Sequence, residues 1–241
     1  MKNWFDTWFN SPYYHLLYKD RDFSEADNFI SNLLKQLNPS QHHSFLDVAC
    51  GKGRHSISIN EKGFKVEGID LSKESIDYAH SFRNERLHFN VHDMRQVYKE
   101  GEFDFVLNLF TSFGYFNSDK ENEDAVKAMS ANLKKGGQIV IDFMNSKKVI
   151  SKLVENEEKK VEHILFKINR RVENGYIIKD IKFNDNNQSY HFEEKVRALT
   201  LNDFKELVDK AGLKIINLWG DYDFNDFDAI NSQRLILLLQ K

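Results

Sequence analysis

Apolar positions along this chain change their rhythm twice, after Asn145 and again at Thr200. From Glu25 to Leu37, apolar residues fall at Ala26, Phe29, Ile30, Leu33, Leu34 and Leu37, the spacing of one helix face, and Asn38-Pro39 ends it. Short apolar runs then alternate with helical patterns. Strands are expected at Ser44–Val48, 65–69, Leu87–Val91, Phe103–Leu107 and Gln138–Phe143. A helix starts near Arg54 and closes at Lys62-Gly63. A second is capped by Ser72 and runs through Ile76, Ala79 and Phe82. A third spans 119–133 and stops at Lys135-Gly136-Gly137.

Beyond Asn145, residues 161–199 alternate apolar and polar through Ile164, Phe166, Ile168, Ile178, Ile181, Phe183, Tyr190 and Phe192. Asn174-Gly175 and 184–187 are turn sequences, so an antiparallel meander of about three strands is expected. Helical spacing returns from Thr200 to Gly212, with Thr200 or Asn202 as cap, and strands at Leu213–Leu218 and Arg234–Leu239 close the chain. Five strands alternating with helices, plus two more, predict an α/β protein: a Rossmann-like, doubly wound, seven-stranded sheet carrying a small antiparallel β insert. The chain divides into 1–40, rich in aromatics, a core at 41–146, the insert at 147–199 and a completion of the core at 200–241. Trp4, Phe5, Trp8, Phe9, Tyr13, Tyr14, Tyr18 and Phe23 would not sit freely in water, so the leader should fold back as a packing helix, a lid, or both.

Composition narrows the setting. The 241 residues are 41% hydrophobic with 20 Phe and 2 Pro, enough for one large folded domain or a domain with an insert. A net charge of −3 gives no bulk basic field to attract nucleic acid. One cysteine, Cys50, excludes an internal disulfide and fits a reducing, cytoplasmic compartment. No run reaches the roughly 18 apolar residues of a membrane helix, and no signal-peptide core opens the chain. The oligomeric state is open between monomer and homodimer.

The chemistry gathers at the strand ends. Right-handed crossovers place the C-terminal ends of parallel strands on one edge, where open α/β sheets bind ligands. Asp47, Asp70, Asp93 and Asn108 all fall there. The three acids recur 23 residues apart, the length of one β-α-β step. Between the first strand and its helix lies Asp47-Val-Ala-Cys-Gly-Lys-Gly53, a turn whose glycines let backbone approach a ligand. An acid at the second strand's end suits ribose hydroxyls. A dinucleotide fingerprint would need a third glycine where Ser56 stands, and Asp47 would repel a pyrophosphate. A nucleoside with a cationic amino-acid tail fits better. Cys50, inside the turn, reads as a small buried thiol.

On these residues the chain resembles the class I S-adenosylmethionine-dependent methyltransferases, over most of 40–145 and again over 200–241. The resemblance implies S-adenosyl-L-methionine as cofactor and an antiparallel last strand inserted beside strand five. It sets Gly51 with its neighbours Ala49 and Gly53 against the methionine moiety, and Asp47 near its ammonium. Asp70 is then the ribose acid, Leu71 packs on adenine, Asp93 takes the exocyclic amine, and Met94 lies on the ring. Asn108 and Leu109 fall beside the reactive methyl. Arg54 would lie near the carboxylate or the lid, and Tyr14 and Tyr18 resemble aromatics that cover the cofactor.

The segment Asn108-Leu-Phe-Thr-Ser-Phe-Gly-Tyr115 lacks the Asn/Asp-Pro-Pro-Tyr tetrad of base and glutamine methyltransferases. A small-molecule N or O acceptor is therefore expected, under a roof formed by the insert. Arg170, Arg171, Tyr190, His191 and Arg197 could orient it, with Arg170 and Arg171 on opposite faces. Tyr115 and Thr111 could line the acceptor side. No catalytic residue is assigned: a hydroxyl acceptor would want a base such as His15, His55 or His191. No tight metal-ligand set appears. The alternatives are a non-catalytic cofactor-binding subunit, a methyltransferase acting on protein or RNA, and a dehydrogenase, which Ser56 opposes.

Overall fold

The computed structural model describes residues 7–19 and 23–241. Trp4 and Phe5 of the aromatic leader lie outside the described residues. Two helices open the described chain, α1 (Pro12–Leu17) and α2 (Phe23–Leu37). Ser11 caps α1 by accepting from the Tyr13 N–H, and Pro12 stands in the first turn, where a missing N–H costs no helical bond.

The core alternates as the spacing requires: β1 (Ser44–Val48), α3 (Arg54–Glu61), β2 (Lys65–Asp70), α4 (Lys73–Ala79), β3 (Leu87–Val91), β4 (Phe103–Asn108), α5 (Asp119–Asn132) and β5 (Leu133–Met144). After the insert come α7 (Leu201–Lys210), β10 (Lys214–Trp219) and β11 (Arg234–Gln240). The seven strands are ordered β10-β11-β5-β4-β1-β2-β3. β1 to β5 run parallel, while β11 pairs antiparallel with both β5 and β10. The expected architecture holds, including the reversed last strand beside strand five.

Each central strand is buried on both faces, as a parallel sheet between helices must be. Phe45, Leu107, Val140 and Ile236 face one core with Phe29 of α2 and Ile59 of α3. Leu46, Val106, Ile139 and Leu237 face another with Met129 of α5 and Phe204 of α7. Helix caps follow their sequence signals. Ser118 and Thr200 both form reciprocal capping boxes, with Glu121 and Asp203, so Thr200 is the cap of α7.

The insert corrects the sequence reading. It begins with α6 (Ser146–Ser151) and has four strands, not three: β6 (Asn156–Val161), β7 (Ile164–Glu173), β8 (Tyr176–Asp185) and β9 (Gln188–Arg197). The missed strand, β6, is an edge. It pairs only with β7, and its Glu/Lys-rich sequence suits a solvent-exposed edge, so no apolar alternation announces it. The hairpin turns lie where expected, with Asn174, Gly175, Asn186 and Asn187 all at positive φ. One face of this sheet, through Phe166, Ile168, Ile181 and Phe183, packs on Trp8 and Leu17. The insert's far end is tied to the core by the Arg197 N–H donating to the Gly114 carbonyl at 2.7 Å.

Candidate functional site

The glycine turn between β1 and α3 holds a run of positive φ at Ala49, Gly51 and Gly53. The two glycines are glycines for different reasons. A Cβ on Gly51 would meet no atom within 4 Å, so it faces open space. A Cβ on Gly53 would lie 2.7 Å from the Phe89 ring of β3, so its lack of a side chain serves packing. Gly68 in β2 repeats that constraint, at 2.6 Å from Phe89 and 2.9 Å from Cys50 Sγ. Cys50 is thus wedged in the core, where burial pushes its thiol pKa up, as a packing thiol requires.

Asp70 organises the turn. Its carboxylate accepts the Gly51 N–H and the Ser72 N–H, each at 2.8 Å. Burial raises its pKa and the backbone donors oppose the rise. A carboxylate offers about four lone-pair sites, so Asp70 keeps acceptor capacity for a ligand. Leu71, next along, is 42% exposed beside it, an apolar surface for a flat ring. Asp47 is fully enclosed and accepts from Ser56 Oγ at 2.6 Å. Burial first, then the Asp70 charge, lift its pKa to about 7. A cationic group nearby would favour its ionised form. Ser56 therefore has a task the sequence did not announce.

Asp93 has one as well. Arg95 grips its carboxylate with the guanidinium and the backbone N–H, then reaches Glu121 in the first turn of α5. Arg95 holds the Asp93 pKa down. Asp93 therefore meets any amine with most of its acceptor sites in use. Met94 is half-buried against the second core.

The segment after β4 is held under strain. Asn108 is fully buried and donates to the Val48 carbonyl at 3.0 Å, while its own Oδ1 has no partner. Leu109 points into the core, so it offers a ligand its backbone. Phe110 and Thr111 follow, both with φ of 59°. Asp142 of β5 holds them, taking the Phe110 N–H on its carboxylate and the Thr111 N–H on its carbonyl, each at 2.9 Å. Arg234 of β11 pairs with Asp142 at 2.7 Å and donates to Thr111 Oγ1. Sequence reasoning missed both residues. The available signal was an acid inside the apolar run Ile139–Phe143, since a buried charge needs a partner. Arg54 lies over the Phe110 ring at 4.1 Å and pairs with Glu25 of α2 at 3.3 Å.

Over this edge sits the N-terminal segment. Asn10 Oδ1 accepts from Ser72 Oγ, next to the Asp70 loop. Phe9 meets the Tyr115 ring at 5.4 Å, and Tyr14 packs among Trp8, Phe9 and Tyr18. On the insert side, Glu194 of β9 accepts from the Trp8 indole and the Tyr18 hydroxyl, each at 2.7 Å, with Lys179 at 3.6 Å. The leader thus bridges the core's binding edge and the insert.

The candidate acceptor residues separate. Arg170 and Arg171 do face opposite ways. Arg170 pairs with Glu157, while Arg171 joins Asp180, Glu173 and Glu193. His191 also pairs with Asp180, at 2.9 Å, in that outward-facing group. Tyr190 stacks on Phe183 within the apolar cluster, and Arg197 reaches Asp119 and the Asn174 carbonyl. Of the candidate bases, His55 is buried, its pKa lowered by desolvation to about 3. His15 lies on α1 itself, half-buried, with its pKa lowered by desolvation. Among the described residues no group of three or more His, Cys, Asp or Glu is arranged to hold a metal ion, and no helix is long and apolar enough to cross a membrane.

The Asp70 carboxylate, the glycine turn, the exposed Leu71 and the enclosed Asp47 gather at the C-terminal edge of β1 and β2. Residues 45–137 match the methyltransferase-domain family model, from β1 into β5. That stretch is a methyltransferase domain of the class I S-adenosylmethionine-dependent kind. The chain is 27% identical over 206 residues to YqeM of Bacillus subtilis, a methyltransferase by name only, covering 81% of this chain and 83% of that one. It is 29% identical over 132 residues, 54% of each chain, to the dTDP-3-amino-3,4,6-trideoxy-alpha-D-glucopyranose N,N-dimethyltransferase of Streptomyces venezuelae. Beyond YqeM, the chain spans about half or less of the length of the curated relatives it matches. The fold is that of an S-adenosylmethionine-dependent methyltransferase structure from Clostridium acetobutylicum, with a TM-score of 0.78 and 21% identity over 95% of each chain.

Proposed function

We propose that this enzyme methylates a nitrogen of a small-molecule amine. The observation that carries the reading is the double attachment of the N-terminal segment, to Ser72 on the core and to Glu194 on the insert. A segment tied at both sides roofs the binding edge, and a roofed site admits a metabolite more readily than a folded protein or an RNA. The walls are aromatic: Trp8, Phe9, Tyr14, Tyr18 and Tyr115. The arginines once considered for an anionic acceptor are already paired with carboxylates. The amino-sugar relative, an N,N-dimethyltransferase by name, supports nitrogen as the acceptor atom.

Asp47, Ala49, Gly51, Arg54, Asp70, Leu71, Asp93, Met94, Asn108, Leu109 and Tyr14 are the residues proposed to hold the cofactor, with Gly53 shaping the turn from beneath. When bound, S-adenosylmethionine supplies a methyl group on a sulfonium that departs as a neutral thioether. The protein's share is alignment and exclusion of water. Asp142 and Arg234 fix the strained backbone at Phe110 and Thr111, which sets the floor beside the methyl. The aromatic segment and the insert, residues 147–199, cover the acceptor. An amine needs only to lose its ammonium proton before attack, so no dedicated base is required.

The test is transfer of labelled methyl from S-adenosylmethionine to a panel of amines, amino sugars, hydroxyl metabolites, RNA and protein. Label should enter amines. Faster labelling of hydroxyl compounds, RNA or protein would refute the proposal.

A further inference from the structure

The loop between β10 and β11, residues 220–233, sends one side chain back to the ends of β4 and β5. Tyr222 meets the turn after β4 in two ways. Its ring stacks on the Phe110 ring, with centroids 5.4 Å apart and an interplanar angle of 22°. Its hydroxyl donates to Asp142 Oδ2 at 3.3 Å, the same oxygen that takes the Phe110 N–H at 2.9 Å. Arg234 Nε donates to the other oxygen, Oδ1, at 2.8 Å. Asp142 is fully buried, so its charge has to be met within this set. Phe110 and Thr111 both hold positive φ, a backbone that persists only where its surroundings over-determine it. The turn also borders the glycine turn. Asn108 donates to the Val48 carbonyl at the end of β1, and Arg54, the residue after Gly53, lies over the Phe110 ring. Phe29 of α2 packs edge-on against Tyr222, with centroids 4.9 Å apart, and so restrains its ring.

We propose that Tyr222 is a positioning residue for methyl transfer, holding the Phe110–Thr111 turn by its side chain while Asp142 and Arg234 hold it by its backbone and by Thr111 Oγ1. This rests on the reading that sets that turn beside the reactive methyl. The Asp142 carboxylate fixes where the Phe110 N–H lies, but a strained residue held at one atom can still pivot about that bond. The Tyr222 hydroxyl keeps Oδ2 aimed at the N–H, and the stacked ring keeps the Phe110 side chain from swinging. Both contacts come from a loop more than a hundred residues away in sequence, so the end of the chain completes a surface begun at β4. Burial and the Asp142 charge raise the Tyr222 pKa, so the hydroxyl stays protonated and serves as a donor, not as a base. Its action runs through Phe110 and Asp142. A shift of about 1 Å at a reacting pair costs about a hundredfold in rate, so a small relaxation of the turn is enough to be seen.

The experiment compares the full chain with Tyr222→Phe, which keeps the ring and loses the hydroxyl, and Tyr222→Leu, which loses both. Amide hydrogen exchange read by NMR at Phe110 and Thr111 needs no acceptor. It should speed up at least tenfold in Tyr222→Leu and less in Tyr222→Phe, with the amides of β2 and α5 unchanged. Methyl transfer is then measured on whichever compound of the panel is labelled fastest. kcat should fall by about three- to tenfold in Tyr222→Phe, the worth of one hydrogen bond, and by about a hundredfold in Tyr222→Leu. The KM for S-adenosylmethionine should stay within about twofold of the parent's, because the cofactor's own contacts are kept. If Tyr222→Leu does not fold, Tyr222→Phe carries both measurements. Exchange unchanged at Phe110 and Thr111, or a lower Tm with kcat kept, overturns the assignment. A parent chain that shows no calorimetric binding of S-adenosylhomocysteine sinks the cofactor reading instead, and this assignment with it.

Discussion

Glu194 is the joint between the N-terminal segment and the insert, and its removal should loosen the roof while sparing the core. Trp8 is fully buried, and its indole N–H has the Glu194 carboxylate as acceptor. Tyr18 donates to the same carboxylate, and the Glu194 and Lys179 side chains are 16% and 15% exposed. A hydrogen bond to a charged group contributes about 1.5–3 kcal/mol, and a buried donor left without an acceptor costs about as much. In Glu194→Ala the Trp8 donor is stranded. The Tyr18 hydroxyl keeps its contact with Lys179, so its loss is partial. The two effects share one acceptor and do not add fully, which puts the cost of attachment at about 3 kcal/mol. That corresponds to roughly a hundredfold rise in the open fraction of the segment. Glu194→Gln keeps one oxygen for Trp8 and should cost about 1 kcal/mol. Hydrogen exchange across residues 7–19 reads the opening directly. It should speed up in Glu194→Ala, less in Glu194→Gln, and stay unchanged in β1, β4 and β5. Acceptor KM should rise in the same order. If exchange over 7–19 is the same in Glu194→Ala and the parent, the latch does not exist and the roof is held by apolar packing alone.

Three further outcomes follow from the site. Gly51→Ala should leave Tm within a few degrees but cut S-adenosylhomocysteine affinity, because its Cβ enters open space; Gly53→Ala should lower Tm by forcing a Cβ against Phe89. Equal effects of the two on binding and melting would refute the division of labour. Asp47 binds a proton in the folded chain up to about pH 7, where the unfolded chain has released it near pH 3.8. Stability of the ligand-free protein should therefore fall as pH rises between those values and level off above, and Asp47→Asn should flatten that slope in melts taken at pH 5 and 7.5. Arg234→Met leaves Asp142 buried with its charge uncompensated, and should lower Tm by on the order of 10 °C. A Tm unchanged in that variant would mean that the strained Phe110–Thr111 turn is supported by something other than the pair.

Much of the molecule can be read from local chemistry. Strand and helix periods, Ser72 and Thr200 as caps, and the Asn-Gly and Asn-Asn turns are decided by neighbours along the chain. So is the row of acids at the strand ends, because one β-α-β step has a fixed length. β6 is hidden for the opposite reason: an exposed edge strand needs no apolar face, and its lysines and glutamates look like a loop.

What the sequence determined by itself is the order of the groups at the binding edge: a glycine turn at Gly51 and Gly53, flanked by acids at the strand ends Asp47 and Asp70. What only the tertiary structure decided is which side chains answer one another across long stretches of chain. Trp8 and Tyr18 find Glu194, Asn10 finds Ser72, and Arg234 finds Asp142. None of these pairings has a local signal, because a buried polar group needs a partner in space and the sequence does not say how far along the chain that partner lies. The floor of the site is therefore legible in the order of residues; of the cover, the aromatic leader announces that it folds back, and only the structure shows what fastens it.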